Sequence, residues 1–186
     1  MQQPDWRVEF RYGALMAQPE AMGRLEQAAA RGKKRLTARE FMERGQQARD
    51  VWELLGGSFD GLEKQVGNLL GSALGRALGF EINKVHTAPY PVPVGAVLVG
   101  VSCAMAETGY RLTQVLQGTD GCVLEAALPR NWATKEGSVV CAVAGNAQQA
   151  QVQSAVKVTG QLYDWGRGKR VLADLSARTG AWVAAG

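Results

Sequence analysis

The chain has a single histidine, His86, in 186 residues. That shortage removes any metal site built on two histidines and most mechanisms that pass protons between several imidazoles. Cysteine is scarce as well. Cys103, Cys122 and Cys141 are odd in number, show no close pairing and form no CxxC. This argues against a zinc site or a thioredoxin-like redox pair and suits a reducing cytoplasm. A Cys–His nucleophile remains formally open. However, all three cysteines sit inside apolar runs, where a thiol behaves as a small buried hydrophobe with a raised pKa. No Walker, Rossmann or nucleophile-elbow pattern occurs, and spacing marks out no pair of carboxylates. The expectation is a protein that is not an enzyme, with no metal and no cofactor.

Long hydrophobic runs and strong charge are missing too. The longest apolar stretch, Pro91 to Ala106, is short and rich in small residues, and the start Met1-Gln2-Gln3-Pro4 lacks the pattern of a signal peptide. A soluble, cytoplasmic protein without stable membrane insertion is expected. Net charge is only +4 with a pI near 9.1. The excess is spread evenly, with 12 basic and 10 acidic residues up to residue 80 and 9 and 7 after it. Neither half is a basic tail, so an anionic partner is permitted but not demanded.

What the sequence has in abundance is glycine, 23 residues. Gly67, Gly71, Gly75 and Gly79 recur every fourth residue and would form one stripe of a helix. A polar stripe (Lys64, Asn68, Ser72, Arg76) runs beside it, and Val66, Leu70, Leu74 and Leu78 form an apolar one. Four interior glycines cost a helix about 3–4 kcal/mol against alanine, so something is expected to pack closely along the bare groove. Two readings stand: packing inside the protomer, or self-association of two such helices into a homo-oligomer.

The rest of residues 1–80 reads as one strand and two further helices. Trp6, Val8, Phe10 and Tyr12 alternate with Arg7, Glu9 and Arg11, the pattern of a half-buried strand with a charged outer face. A helix is expected over Pro19–Arg31, stopped by Gly32 and Lys33-Lys34-Arg35. Thr37 to Glu40 is a capping box, with Phe41, Met42, Ala48, Trp52 and Leu55 on one face of the helix it opens. Residues 81–186 read β-α-β-β-β-β-α. A strand spans Glu81–Thr87, Pro89 to Pro93 connect, and a helix runs from Pro93 to Gly109, with a valine-rich buried strand as the rival. Four strands follow at Tyr110–Gln117, Cys122–Leu128, Ser138–Ala144 and Val152–Thr159, then a helix beginning near Gly166 or Gly168. The expected fold class is α+β: a helical N-terminal region packed on an antiparallel sheet with helices on one face, the two regions sharing a core.

Strand, helix, meander and then Asp164-Trp165-Gly166-Arg167-Gly168-Lys169-Arg170 opening a last helix resembles small bacterial α+β domains of uncharacterised function. The resemblance covers residues 81–176 and brings no activity or site with it.

Two basic-aromatic clusters are the local binding candidates. Tyr163, Trp165, Arg167, Lys169 and Arg170 crowd a strand-to-helix junction, where free amides, flexible glycines and cations could receive a phosphate. Arg130, Trp132 and Lys135 occupy a loop between strands. Arg7 and Arg11 could extend the same surface. The competing readings are structural: Asp164 as a helix cap, Trp165 packed beneath it, and Trp132 folded over the core edge. The leading function is a non-enzymatic binding protein for an anionic polymer, foremost single-stranded or duplex nucleic acid. The alternatives are a scaffold or assembly subunit using the glycine-striped helix, and a small-molecule or lipid carrier with its cavity under the curved sheet.

Overall fold

A computed structural model describes residues 5–32, 85–118, 121–129, 137–158 and 166–186. It shows an α+β fold. A 3-10 turn (Trp6–Val8), α1 (Tyr12–Met16) and α2 (Pro19–Arg31) precede β1 (Val85–Tyr90), α3 (Val94–Thr108), β2 (Arg111–Gln117), β3 (Gly121–Ala127), β4 (Gly137–Gly145), β5 (Ala150–Val158) and α4 (Arg167–Ala184). The five strands form one antiparallel sheet in the order β1-β5-β4-β3-β2. The meander β2–β5 thus closes with β1 beside the last strand.

The organising element is α3. Every residue from Val94 to Ala106 is buried. A helix apolar all round has no solvent face to offer and must sit at the centre of the molecule. It packs on β2, β4 and β5 on one side and on the 3-10 turn, α2 and α4 on others. Its hydroxyls are satisfied inside the helix, the buried Ser102 Oγ donating to Leu98 O at 2.9 Å and the half-buried Thr108 Oγ1 to Ala104 O at 2.8 Å. Its ends are closed by other means. Val94 N–H donates to Asn146 O of the β4–β5 turn at 2.9 Å, in place of a side-chain cap. Gly109 takes φ +73°, and Gly109 and Tyr110 donate back to Ala106 O and Met105 O. These ends decide the valine-rich segment: it is a helix and not a strand.

Alternation assigns the sheet's two faces. Val115, Leu124, Cys141 and Ser154 stand in register on the face toward α3 and α4, with Leu112, Ala126, Val139, Cys122, Val143 and Val152 in the same core cluster. The helices described on the sheet lie on this inner face.

Two expectations are corrected. Residues 6–12 are not a strand: Asp5 Oδ1 accepts from Arg7 N–H at 3.0 Å and caps a 3-10 turn, and Tyr12 opens α1. Of the alternating apolar residues, Trp6 and Tyr12 are buried, with the 3-10 turn against α3, whereas Val8 is 42 % exposed and Phe10 half-buried. Backbone pairing is replaced by one side chain. Gln117 Nε2 donates to Phe10 O at 3.0 Å, and its Oε1 accepts from Tyr12 N–H at 2.8 Å, which pins this stretch to the β2–β3 hairpin. Arg11 turns back onto Glu9 in an ion pair of 2.7 Å, which holds the Glu9 carboxyl below its usual range. The second correction concerns β1. It runs to Tyr90, so Pro89 and Tyr90 belong to the strand and not to the connector. Pro89 is tolerated because β1 is an edge strand.

The capping-box helix and the glycine stripe at Gly67, Gly71, Gly75 and Gly79 lie outside the described residues. No helix among the described residues is long and apolar enough to cross a membrane.

Candidate anion-binding cleft

Four side chains from three separate parts of the chain stack where the N-terminal turn, α2 and the end of α4 meet. Trp6 comes from the 3-10 turn, Arg24 and Arg31 from α2, and Trp182 from the last turn of α4. The Arg24 guanidinium lies 5.8 Å from the Trp6 ring centre and 6.0 Å from that of Trp182. Arg31 lies 4.8 Å over Trp182, and Arg7 lies 5.6 Å from Trp6. Guanidinium and indole therefore alternate along the stack, with ring faces drawing the cations. The cleft beside them has a volume of about 760 Å³ and is further lined by Glu20, Gln27 and Gly186.

Each indole is fixed at its polar edge. Trp6 Nε1–H donates to Glu20 Oε2 at 2.5 Å. Trp182 Nε1–H donates to Glu107 Oε2 at 2.9 Å, and the other oxygen of Glu107 accepts from Arg178 Nη1 at 2.9 Å. Glu107 sits on α3 and thus ties the central helix to α4. The guanidiniums are held as well: Arg24 donates to Trp182 O, and Arg7 Nη2 to Gly186 O at 2.9 Å. Trp6 and Trp182 are only 7 % and 4 % exposed. They are therefore platforms that orient cations and offer no open ring face on which a base could stack.

The remaining chemistry is sparse. Burial pushes the thiols of Cys103 and Cys141 up to about 12, and that of Cys122 higher still. All three are free and buried. His86 Nε2 lies 3.2 Å from Ser176 Oγ, and no carboxylate among the described residues bonds to either. No group of three His, Cys, Asp or Glu among the described residues could hold a metal ion. Tyr12 is buried, and burial raises its pKa, offset in part by the Ser102 hydroxyl beside it.

The buried thiols predict a pH dependence. Their folded pKa lies above the ordinary thiol value, so their contribution to stability is complete below about pH 9 and is lost as pH climbs toward 12. Urea midpoints measured between pH 8 and 11 are expected to fall more steeply in the wild type than in Cys122→Ala. Iodoacetamide at pH 8 is expected to label none of the three thiols until urea unfolds the chain.

Most residues singled out from sequence are elsewhere or outside view. Arg130, Trp132, Lys135, Tyr163 and Trp165 lie outside the described residues. Arg167 opens α4, where Gly166 at φ +72° occupies the cap position expected of Asp164. Lys169 and Arg170 are exposed on the first turn of that helix. They stand about 20 Å along its axis from Trp182 at a rise of 1.5 Å per residue, so these two cations do not join the cleft. Arg7 does join it, as part of a turn and not of a strand face. Arg24, Arg31, Trp6 and Trp182 were missed as a site. One signal was present: Glu20, Arg24, Gln27 and Arg31 follow a helical stripe along α2.

No protein-family model, curated protein or solved structure matches this chain.

Proposed function

We propose that this protein is a non-enzymatic binder of an anionic polymer, nucleic acid, and that the Trp–Arg cleft holds its phosphates. The observation that carries this reading is the convergence of three guanidiniums, Arg7, Arg24 and Arg31, on one open cleft whose lining has one acidic side chain, Glu20. A guanidinium already held over an indole has lost much of its rotamer freedom, so less is lost when its planar fork meets a phosphate. The volume suits a nucleotide unit or two of a longer strand.

Three phosphate contacts give a defined salt response. The slope of log affinity against log salt is expected near −2 for a single strand and near −3 for a duplex. In a fluorescence-anisotropy titration with labelled oligonucleotides, Arg31→Ala should weaken binding across sequences alike and reduce the magnitude of that slope by about 1. No binding of labelled DNA or RNA at low salt would end the nucleic-acid reading. An unchanged slope in Arg31→Ala would remove the cleft from it. Mononucleotide bound as tightly as the oligonucleotide would turn the ligand into a small anion.

A further inference from the structure

The end of α4 lies in the Trp–Arg cleft and supplies acceptors to its cations. Ala185 and Gly186 are among the lining residues, and both are exposed. Arg7 Nη2 donates to Gly186 O at 2.9 Å, and Arg24 donates to Trp182 O. The local backbone explains why these oxygens face the guanidiniums. The last four carbonyls of an α-helix have no partner within it and carry the negative end of its dipole. In α4, Ala185 N–H donates to Ala181 O at 3.1 Å and Gly186 N–H to Val183 O at 3.3 Å. Gly186 thus skips Trp182 O, its ordinary i−4 acceptor, and that oxygen goes to Arg24. Gly186 also approaches Arg24 so closely that a side chain there would collide with the guanidinium. Two of the three cleft guanidiniums are therefore already engaged by neutral carbonyl oxygens.

We propose that Ala185 and Gly186 form an internal latch on this cleft, holding Arg7 and Arg24 until an entering phosphate displaces them. The inference rests on the anion-binding reading of the cleft and adds its regulation. The exchange favours the phosphate. Gly186 O is neutral and takes a single N–H of Arg7, whereas a phosphate brings a full charge and two oxygens that match the guanidinium fork. A neutral polar ligand has no such advantage and leaves the latch closed. The device therefore sets a threshold that anions pass. Release is local, because Arg7, Ala185 and Gly186 are all exposed and their separation uncovers no core residue. Affinity for the anion is lowered by the fraction of molecules in which the latch is shut.

Ala185→Pro in the full chain opens the latch without altering a guanidinium or an indole. Proline removes the N–H bonded to Ala181 O and drives Ala184 out of the helical region, so Gly186 leaves Arg7. Labelled oligonucleotide is expected to bind this variant about 2- to 10-fold tighter at every salt concentration, the worth of one hydrogen bond expressed as affinity, with the salt slope unchanged. A second measurement uses the wild type and follows the order of Gly186 through its backbone heteronuclear NOE. Inorganic tripolyphosphate is expected to lower that NOE, and glycerol at the same concentration is expected to leave it alone. Equal or weaker oligonucleotide binding by Ala185→Pro, or a Gly186 as ordered with anion bound as without it, would overturn the latch and leave the nucleic-acid reading standing. Tripolyphosphate releasing Gly186 in a protein that binds no oligonucleotide would uphold the latch and end the nucleic-acid reading. Binding of neither anion would overturn both.

Discussion

Trp182→Ala is expected to lower the free energy of unfolding by about 3–5 kcal/mol, the range for removing a buried tryptophan. The loss has three physical parts. A 4 % exposed indole leaves a cavity at the junction of α2, α3 and α4. Glu107 loses the N–H that held Oε2 at 2.9 Å and keeps only Arg178. Arg24 and Arg31 lose the ring face that orients both. Stability and binding are thereby coupled at one residue, and Trp182→Phe separates them. The phenyl ring keeps an aromatic face and loses the donor, so its cost should be about 1–3 kcal/mol, with most of the salt-dependent oligonucleotide binding retained. Urea unfolding followed by circular dichroism checks the first quantity, and the anisotropy titration checks the second. A Trp182→Ala protein as stable as the wild type would show that α4 is not anchored through this side chain.

Gly95→Val should have the next largest effect, about 1–3 kcal/mol, and it acts through shape alone. An added Cβ at residue 95 would lie 2.5 Å from Trp6 O and 2.6 Å from both Arg7 O and Glu9 O. Those three carbonyls are backbone, so no side-chain rotation relieves the clash. The 3-10 turn must lift from α3, carrying Trp6 and Arg7 away from Arg24. Limited proteolysis is therefore expected to cut before residue 12 in the variant and not in the wild type. Gly13→Ala is the control: a Cβ there meets nothing within 4 Å, and alanine inside α1 should be neutral or stabilising by up to about 1 kcal/mol. If Gly95→Val and Gly13→Ala behave alike, the turn is not seated on α3 as described.

The helices and strands whose signals are local were legible in the sequence. Pro19 and Gly32 bracket α2 at its observed ends, Gly109 stops α3 through a left-handed residue that glycine adopts without strain, and the meander strands fall within two residues of their expected limits. Residues 6–12 misled because their apolar alternation does not map onto burial. Trp6 and Tyr12 are covered while Val8 is 42 % exposed, which a turn leading into a short helix allows and a half-buried strand would not. The cleft was illegible for a related reason. Arg24 and Trp182 each look ordinary on an amphipathic helix, and nothing near either residue in the chain announces a partner 158 positions away.

The sequence by itself determined the α+β class and the antiparallel meander, because these follow from periodicity, caps and turn residues within a few positions of one another, and it left the apolar segment before Gly109 open between helix and strand. Tertiary structure alone decided which face of each element is covered and which cations meet. The packing of α2 and the 3-10 turn on α3, together with the crossing of α4, set Arg7, Arg24 and Arg31 around one cleft and left Lys169 and Arg170 at the far end of the last helix. Such convergence depends on how rigid elements cross in space, and residue spacing along a chain carries no record of that angle.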